Sequence, residues 1–338
     1  MLVGAVLGIA AQVWASSPDL DAEDRGFLEW SDTHFREGPR PDTAAGYRYS
    51  GDVFREVGAA LRRRPGVVEP ERIGESVGDR PIWAFHIEDP AREADRSVLV
   101  FAGIHALEWI STEVATDLLL ELIDHPPAGV RVTVVPLLNP DGRSAVQKDL
   151  DAGRVRYRRS NRAGVDLNRD FDWNRKATSA WRHLLPAYHG TSPAALSQPE
   201  SRAIDALCAR EGYDRAASLH AFGGFFYYPW AGRWVKPDAR DRFVELAEVM
   251  EDAQGARAYH GRQLARWGFF FRAQGTELDH LYGAYGIEAF LIELTRSGLH
   301  PFSPQTWKTY FRWYNPKDPE RHKDQGVRAL RALIWYEA

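Results

Sequence analysis

The sequence predicts an α/β fold in which a sheet is covered on both faces by helices. Short apolar runs typical of buried strands alternate with longer stretches whose apolar residues have helical spacing. The 338 residues are 44% hydrophobic, which is enough to bury a sizeable core. The main part of the chain shows no internal repeat, low-complexity tract or linker, so we expect a single domain.

Five short runs are the strand candidates. They are PIWAFHI (81–87), SVLVFAGI (97–104), VRVTVVPLLN (130–139), AASLHAF (216–222) and EAFLIEL (288–294). Three stretches have helical periodicity, namely 108–124, 197–210 and the closing GVRALRALIWYEA. Aromatic residues in 306–316 also recur at helical spacing, which favours a packed helix face over a ligand-stacking surface.

The first residues resemble an export signal. LVGAVLGIAA is unbroken apolar sequence, and Val13 and Ala15 have the spacing that a signal peptidase prefers. A basic segment upstream is missing, so an ordinary buried N-terminal helix is the alternative. We expect residues 1–15 to be a signal peptide, 16–46 a polar, loosely packed segment and 47–338 the main domain. No later stretch reaches the roughly 18 apolar residues of a membrane span. With the leader as an export signal, we expect a periplasmic or secreted protein.

Charge and cysteine content exclude several classes of protein. The chain has 43 basic and 47 acidic residues, and its net charge of -4 gives no overall attraction to nucleic acid or to an anionic membrane surface. The single cysteine, Cys208, excludes an intrachain disulfide framework and a cysteine-rich metal cluster. It lies in the periodic run ESRAIDALCAR, which is typical of a buried structural thiol.

Polar residues end four of the predicted strands. These residues are His105, Asn139, His220 and Glu293. Ligands of open α/β sheets bind beyond the carboxyl ends of the strands. We therefore expect the four side chains to converge.

The stretch GIHALEWISTE (103–113) places His105 and Glu108 at a strand-to-helix junction, where side chains three positions apart can face one cation. Catalytic zinc takes three protein ligands with nitrogen or oxygen donors plus a water, and His220 is the candidate for the third ligand. The HxxE pair alone is a weak signal, and a helix-capping or salt-bridge pair is the alternative.

Five motifs in this order resemble the zinc carboxypeptidase family. They are HALE, NPDGR (139–143), YRRSNRAGVDLNRDF (157–171), SLHAF and FLIELTRSG (290–298). The resemblance extends from about Tyr47 to about Pro304, and it is to carboxypeptidase A-like enzymes of the bacterial branch, with some similarity to murein peptide amidases. It implies one domain with a mixed, mostly parallel twisted sheet of about eight strands, and a zinc site at the carboxyl ends of the strands.

By this resemblance His105, Glu108 and His220 would bind one Zn²⁺ and leave a position for water. Asp166 would accept the free ring N–H of His105 and fix its tautomer, although a turn aspartate is the alternative. Glu293 would be the general base that takes a proton from the zinc-activated water and delivers it to the leaving nitrogen. A carboxylate at the end of an apolar strand is costly to bury without such a task or a partner.

The run RVRYRRSNR carries five arginines in nine residues. The resemblance assigns Arg159 to the oxyanion of the tetrahedral intermediate, with Arg158 as the alternative register. It assigns Asn168 and Arg169 to the substrate's terminal carboxylate. We expect the remaining arginines to be solvated surface, because one short basic loop on an acidic protein is a poor nucleic-acid site.

The segment GFFFRAQGTELDH is expected to line the pocket for the substrate's last side chain. Leu278 stands where basic-specific members of the family carry an aspartate, which argues against a simple preference for Lys or Arg. Glu277 and Asp279 flank Leu278, however, and could face an amino group.

The expected function is that of a zinc-dependent metallocarboxypeptidase, whose partner is a peptide with a free C-terminal carboxylate. A cell-wall peptide amidase of the same fold is one alternative. A zinc-binding recognition protein without turnover is another, because Phe271 replaces the tyrosine that digestive members place there. Tyr282 or Tyr285 could substitute for that tyrosine, and the missing hydroxyl would tune the enzyme more than abolish its activity. The sequence predicts no oligomeric state.

Overall fold

The computed structural model describes residues 22–33, 40–176, 192–267, 272–296 and 309–337. The helices are α1 (Ala22–Thr33), α2 (Ser50–Arg63), α3 (Trp109–Asp124), α4 (Pro140–Asp151), α5 (Pro199–Glu211), α6 (Arg240–Gln254), α7 (Glu277–Tyr285), α8 (Tyr310–Tyr314) and α9 (Glu320–Trp335). The strands are β1 (Val68–Glu75), β2 (Pro81–Ile87), β3 (Arg96–Phe101), β4 (Val130–Val135), β5 (Arg215–Ala221), β6 (Phe225–Tyr228), β7 (His260–Gln263) and β8 (Glu288–Leu294).

The strands form one eight-stranded sheet in the order β1-β2-β4-β3-β5-β8-β6-β7. The central strands β4, β3, β5 and β8 are parallel to one another, whereas β1 pairs with β2, β2 with β4, and β6 with β8 in antiparallel fashion. The predicted mixed sheet is therefore confirmed. Because β3, β5 and β8 run in parallel, their carboxyl ends lie at the same edge, which places the residues after them close together.

Helices cover both faces of the sheet, as the sequence predicts. One apolar core combines residues of α1, α2, α3, α6 and α9 with one face of the central strands. The other core combines residues of α5 and α7 with the opposite face. Cys208 on α5 is 1% exposed within this second core, in agreement with a structural thiol.

All five predicted strands are present, and the β2 and β8 predictions match to the residue. The other three end or begin within a few residues of the predicted bounds. Strands β1, β6 and β7 were not among the five candidates. Strand β1, at the sheet edge, mixes buried, half-buried and exposed residues, and β7 contains four mostly polar residues, so neither has the continuous apolar run of a central strand.

The expectation that segment 16–46 is loosely packed is wrong for its described part. Helix α1 packs on the main domain, because Phe27 is fully buried and its ring centroid lies 5.1 Å from those of both Trp83 and Phe85. The candidate signal peptide, residues 1–15, lies outside the described residues. None of the described helices is long and apolar enough to span a lipid bilayer.

Candidate metal centre and active site

Three buried side chains converge at the carboxyl edge of the sheet. His105 follows β3, Glu108 directly precedes α3, and His220 lies in β5. The Nδ1 atoms of the two histidines are 3.1 Å apart, and the Glu108 carboxylate lies 2.9 Å from His105 Nδ1 and 3.2 Å from His220 Nδ1. One ligand atom from each residue fits within 4.8 Å of the others, so this group could hold a metal ion.

Hydrogen bonds from other elements fix the loop between β3 and α3. Gly103 has a φ of 68°, and a Cβ there would lie only 2.9 Å from the Leu137 side chain, so a glycine is required. Asn139 donates its side-chain amide to the Ile104 carbonyl at 3.2 Å. Asn139 therefore stabilises the loop between β3 and α3 that carries His105. Its side chain also caps α4 by accepting from Gly142 N.

A second layer of carboxylates holds the two histidine rings. His105 Nε2 lies 3.1 Å from Asp166, as the resemblance implies, and His220 Nε2 lies 2.8 Å from Glu277. Ser218 Oγ lies 2.9 Å from the same His220 nitrogen and 3.0 Å from Glu277. Glu277 is fully buried. Sequence reasoning placed Glu277 only in the side-chain pocket, and no local signal links it to a histidine 57 residues away.

The arrangement fits zinc. A carboxylate at each Nε2 accepts the ring N–H, so both Nδ1 lone pairs point toward each other and toward Glu108. Three acceptors this close repel one another unless a proton or a metal ion lies between them. Tetrahedral zinc with bonds of about 2.0–2.1 Å separates its donor atoms by about 3.3 Å, close to the spacing of His105, Glu108 and His220.

The electrostatics of the cluster also favour a cation. Burial alone would raise the pKa of Glu108, but the adjacent His105 and His220 lower it well below its usual range, so the carboxylate is ionised. Burial acts to lower the pKa of His220, yet the Glu277 and Glu108 carboxylates raise it to about 10. Without a metal ion His220 therefore keeps a proton, which a metal ion would displace on binding. The site thus attracts positive charge at its centre.

Glu293 lies beside this cluster. It is the Cα partner of His220 in the parallel pairing of β5 with β8, so the two side chains leave the same face of the sheet. Burial, followed by the charge of Glu108, raises the pKa of Glu293 to about 8. Its Oε2 atom has no hydrogen-bond partner within the described part of the chain. A carboxylate with this pKa can both accept and release a proton near neutral pH.

The structure distinguishes the two arginine registers. Arg159 donates from Nε to Asp166 at 2.7 Å and lies 3.4 Å from Glu108, so it contacts the cluster of candidate metal ligands. Arg158 instead pairs with Asp149, on α4. Of the two, Arg159 is thus the arginine positioned at the site.

Of the residues assigned to the substrate, Asn168 and Arg169 are connected to the cluster, whereas Leu278 lies in an apolar core. Asn168 and Arg169 belong to a short 3₁₀ turn that follows Asp166 and are 4% and 5% exposed. Asp166 accepts from the Asn168 backbone N–H at 3.0 Å and so connects this turn to His105. Leu278 on α7 is 1% exposed in the second apolar core. Phe271 lies outside the described residues.

Asp279 does not face a substrate amino group in this structure. Its carboxylate accepts from the backbone N–H groups of Ala231 and Gly232 at 2.6 and 2.9 Å, and from the Asn174 amide at 2.5 Å. Burial raises its pKa to about 6. Asp279 therefore anchors α7 to the segment after β6, while Glu277 bonds to His220. Glu277 Oε2 alone of these four oxygens has no partner among the described residues.

Comparisons with known proteins agree with this geometry. The family model described as zinc carboxypeptidase matches residues 56–311. Mouse carboxypeptidase A2 is 27% identical over 281 residues, which cover 76% of this chain and 64% of that protein. The Bacillus subtilis protein YqgT is 29% identical over 215 residues, 54% of this chain and 56% of that protein. This chain thus spans less than two thirds of the length of these relatives.

Solved structures show the same fold. Bovine thrombin-activatable fibrinolysis inhibitor, in complex with a tick carboxypeptidase inhibitor, matches with a TM-score of 0.68 at 18% identity over 85% of this chain and 96% of that chain. Carboxypeptidase A from Helicoverpa armigera matches with a TM-score of 0.66 at 19% identity, over 92% and 79% of the two chains. With the family model matched over most of the sequence, the chain belongs to the zinc carboxypeptidase family.

Proposed function

We propose that this protein is a zinc-dependent metallocarboxypeptidase that hydrolyses the C-terminal peptide bond of peptides. The observation that carries the proposal is the convergence of His105, Glu108 and His220, with Glu293 paired to His220 on the next strand. The three ligands would hold the ion. Bound there, zinc would acidify the attacking water and polarise the scissile carbonyl.

Glu293 is the general base in this proposal. Its Oε2, which has no partner among the residues that the structure describes, takes a proton from the attacking water and later gives it to the leaving nitrogen. Arg159 is held by Asp166 at 2.7 Å, and its guanidinium stabilises negative charge that develops on the carbonyl oxygen. Because Asp166 also holds His105, one carboxylate positions both a ligand and the oxyanion donor.

Asn168 and Arg169 bind the terminal carboxylate of the substrate, and Leu278 contributes apolar surface to the pocket for the last side chain. A guanidinium buried at 5% exposure loses its water, and burial lowers the pKa of Arg169. A carboxylate ligand compensates for that loss with charged hydrogen bonds. The clamp therefore selects peptides with a free C-terminus.

Glu293→Gln tests the proposed function. The variant keeps the shape of the side chain but cannot accept a proton, so kcat should fall about 100- to 10,000-fold while zinc content stays at one per chain. Full activity with bound zinc would remove Glu293 from the mechanism. Peptides with a free and with an amidated C-terminus test the clamp, and the free peptide should be cleaved at least about tenfold faster. Equal cleavage rates for the two peptides would show that Asn168 and Arg169 do not bind the terminal carboxylate.

A second candidate is an amidase that acts on cell-wall peptides. The buried Glu277 Oε2, next to Leu278, is the observation that favours it, because a carboxylate there could attract the amino group of a diamino acid. A substrate panel that differs only in the last residue, leucine, lysine or diaminopimelate, separates the two candidates.

We also propose that the protein is exported, with residues 1–15 as a signal peptide ahead of the catalytic domain.

A further inference from the structure

The active site uses one of the five arginines in 154–162. Of the other four, Arg154, Arg156 and Arg162 are exposed, as expected for solvated surface, yet Arg158 and Arg162 also line a concavity. A cavity of about 410 Å³ lies against this run and against helix α4. Arg158, Arg159 and Arg162 line it on one side, and Arg80 and Lys148 contribute two more cationic side chains. A volume of this size accommodates a small ligand or one to two residues of a peptide.

The cavity carries excess positive charge. Asp141 is the one carboxylate among the lining residues, and it is already engaged, because it accepts from Arg80 Nε at 3.0 Å and from Gly78 N at 2.7 Å. Lys148 and Arg162 form no ion pair within the described part of the chain, and both are exposed. Two cations therefore face the cavity without compensation.

Hydroxyl groups extend this set of donors. Ser144, Ser160 and Tyr157 also line the cavity. Arg80 reaches Ser144 Oγ at 3.3 Å, so the guanidinium is fixed at the rim. Cations beside hydroxyl groups match the oxygen atoms of an anion such as a carboxylate.

The cavity adjoins the proposed active site through Arg159. This residue lines the cavity and also contacts Asp166 and Glu108 of the metal cluster. Asn168 and Arg169, which we assign to the terminal carboxylate, do not line it. A peptide anchored at Arg169 can thus direct residues upstream of its scissile bond past Arg159 and into the cavity.

We propose that this basic cavity binds an acidic side chain of the peptide substrate, upstream of the scissile bond. The proposal rests on the proposed function and adds a substrate preference to it. Lys148 and Arg162 are specificity-determining residues that act through binding, because neither contacts the metal cluster. The enzyme then prefers peptides with glutamate or aspartate shortly before the last residue.

The test compares peptides that carry glutamate or glutamine at the second, third or fourth position from the C-terminus. At one position at least, wild-type protein should have a lower KM and about three- to tenfold higher kcat/KM for the glutamate peptide at low salt, with kcat unchanged. The preference should shrink near 1 M salt, where the Debye length is about 3 Å. Lys148→Gln/Arg162→Gln should abolish the preference and leave the glutamine peptide unaffected.

The control Lys236→Gln/Arg257→Gln removes the same charge from exposed residues that do not line the cavity, and it should keep the preference. A preference absent from wild type, or retained in Lys148→Gln/Arg162→Gln, overturns the proposal. Binding of both peptides to Glu293→Gln, measured by calorimetry, gives the same comparison without turnover, so a failure of the proposed activity remains distinguishable.

Competition with inorganic phosphate at constant ionic strength distinguishes two possible ligands of the cavity, a free anion and an acidic side chain of the peptide. Phosphate should compete with the glutamate peptide and leave the glutamine peptide unaffected. If phosphate binds through Lys148 and Arg162 while both peptides bind equally, the cavity takes a free anion and the substrate preference is refuted.

Discussion

Glu277→Gln should weaken zinc binding although the residue is not itself a ligand. The Glu277 carboxylate lies 2.8 Å from His220 Nε2 and is fully buried, so it orients the ring and raises the electron density on Nδ1. Loss of such a partner typically costs 10- to 100-fold in metal affinity, about 1.4–2.7 kcal/mol. Glutamine keeps an acceptor but loses the charge, so we expect about tenfold for Gln and about 100-fold for Glu277→Leu.

The assay is competition for zinc with a chromophoric chelator, run at the upper end of the stable pH range because a proton competes for the His220 nitrogen. Glu200→Gln is the matched control, since Glu200 is equally buried but bonds to Asn161 at 3.1 Å and not to a ligand. Thermal unfolding of the metal-free proteins shows whether each variant is folded. Folded Glu277→Gln and Glu277→Leu with wild-type zinc affinity would refute the reasoning.

Three further predictions concern pH and packing. Metal-free wild-type protein should lose stability relative to Glu293→Gln as the pH rises from about 4.5 to about 8. The Glu293 carboxyl ionises near pH 4.5 in the unfolded chain, whereas in the folded protein it keeps its proton to about pH 8. Urea unfolding at several pH values measures the difference in unfolding free energy between the two proteins, and a difference that does not change with pH would contradict the prediction. Gly283→Ala should destabilise the fold, since a Cβ would lie 2.2 Å from the Trp173 ring. The steric cost of about 1–3 kcal/mol exceeds the gain in helix propensity of about 1 kcal/mol. A raised denaturation midpoint would show that this contact is wrong. Asn315→Leu should cost about 1–3 kcal/mol, because the buried amide donates to the Leu107 carbonyl at 2.7 Å, and unchanged unfolding free energy would disprove that role.

Strand β2 and the central strands could be predicted because each is a continuous apolar run, which is visible in the sequence without knowledge of the neighbouring strands. β2 and β8 match the predicted ranges. The edge strand β1 could not be predicted in this way, since its exposed and half-buried positions carry polar residues that interrupt the apolar run. Helix α1 could not be predicted either, because it lies in a mostly polar segment. Its burial depends on the contacts of Phe27 with Trp83 and Phe85 on β2.

The sequence by itself determined the fold class and the family, and it named the three residues that converge, because motif letters and strand ends are local properties of the chain. The resemblance also predicted Asp166 as the partner of His105. Only the tertiary structure showed that Glu277 holds His220, and at what distances the ligand side chains meet. The contact of Glu277 with His220 joins positions 57 apart, and that of His220 with His105 joins positions 115 apart. Such distances depend on strand order and on the register of β5 with β8, which side-chain packing across the whole sheet sets and no single segment encodes.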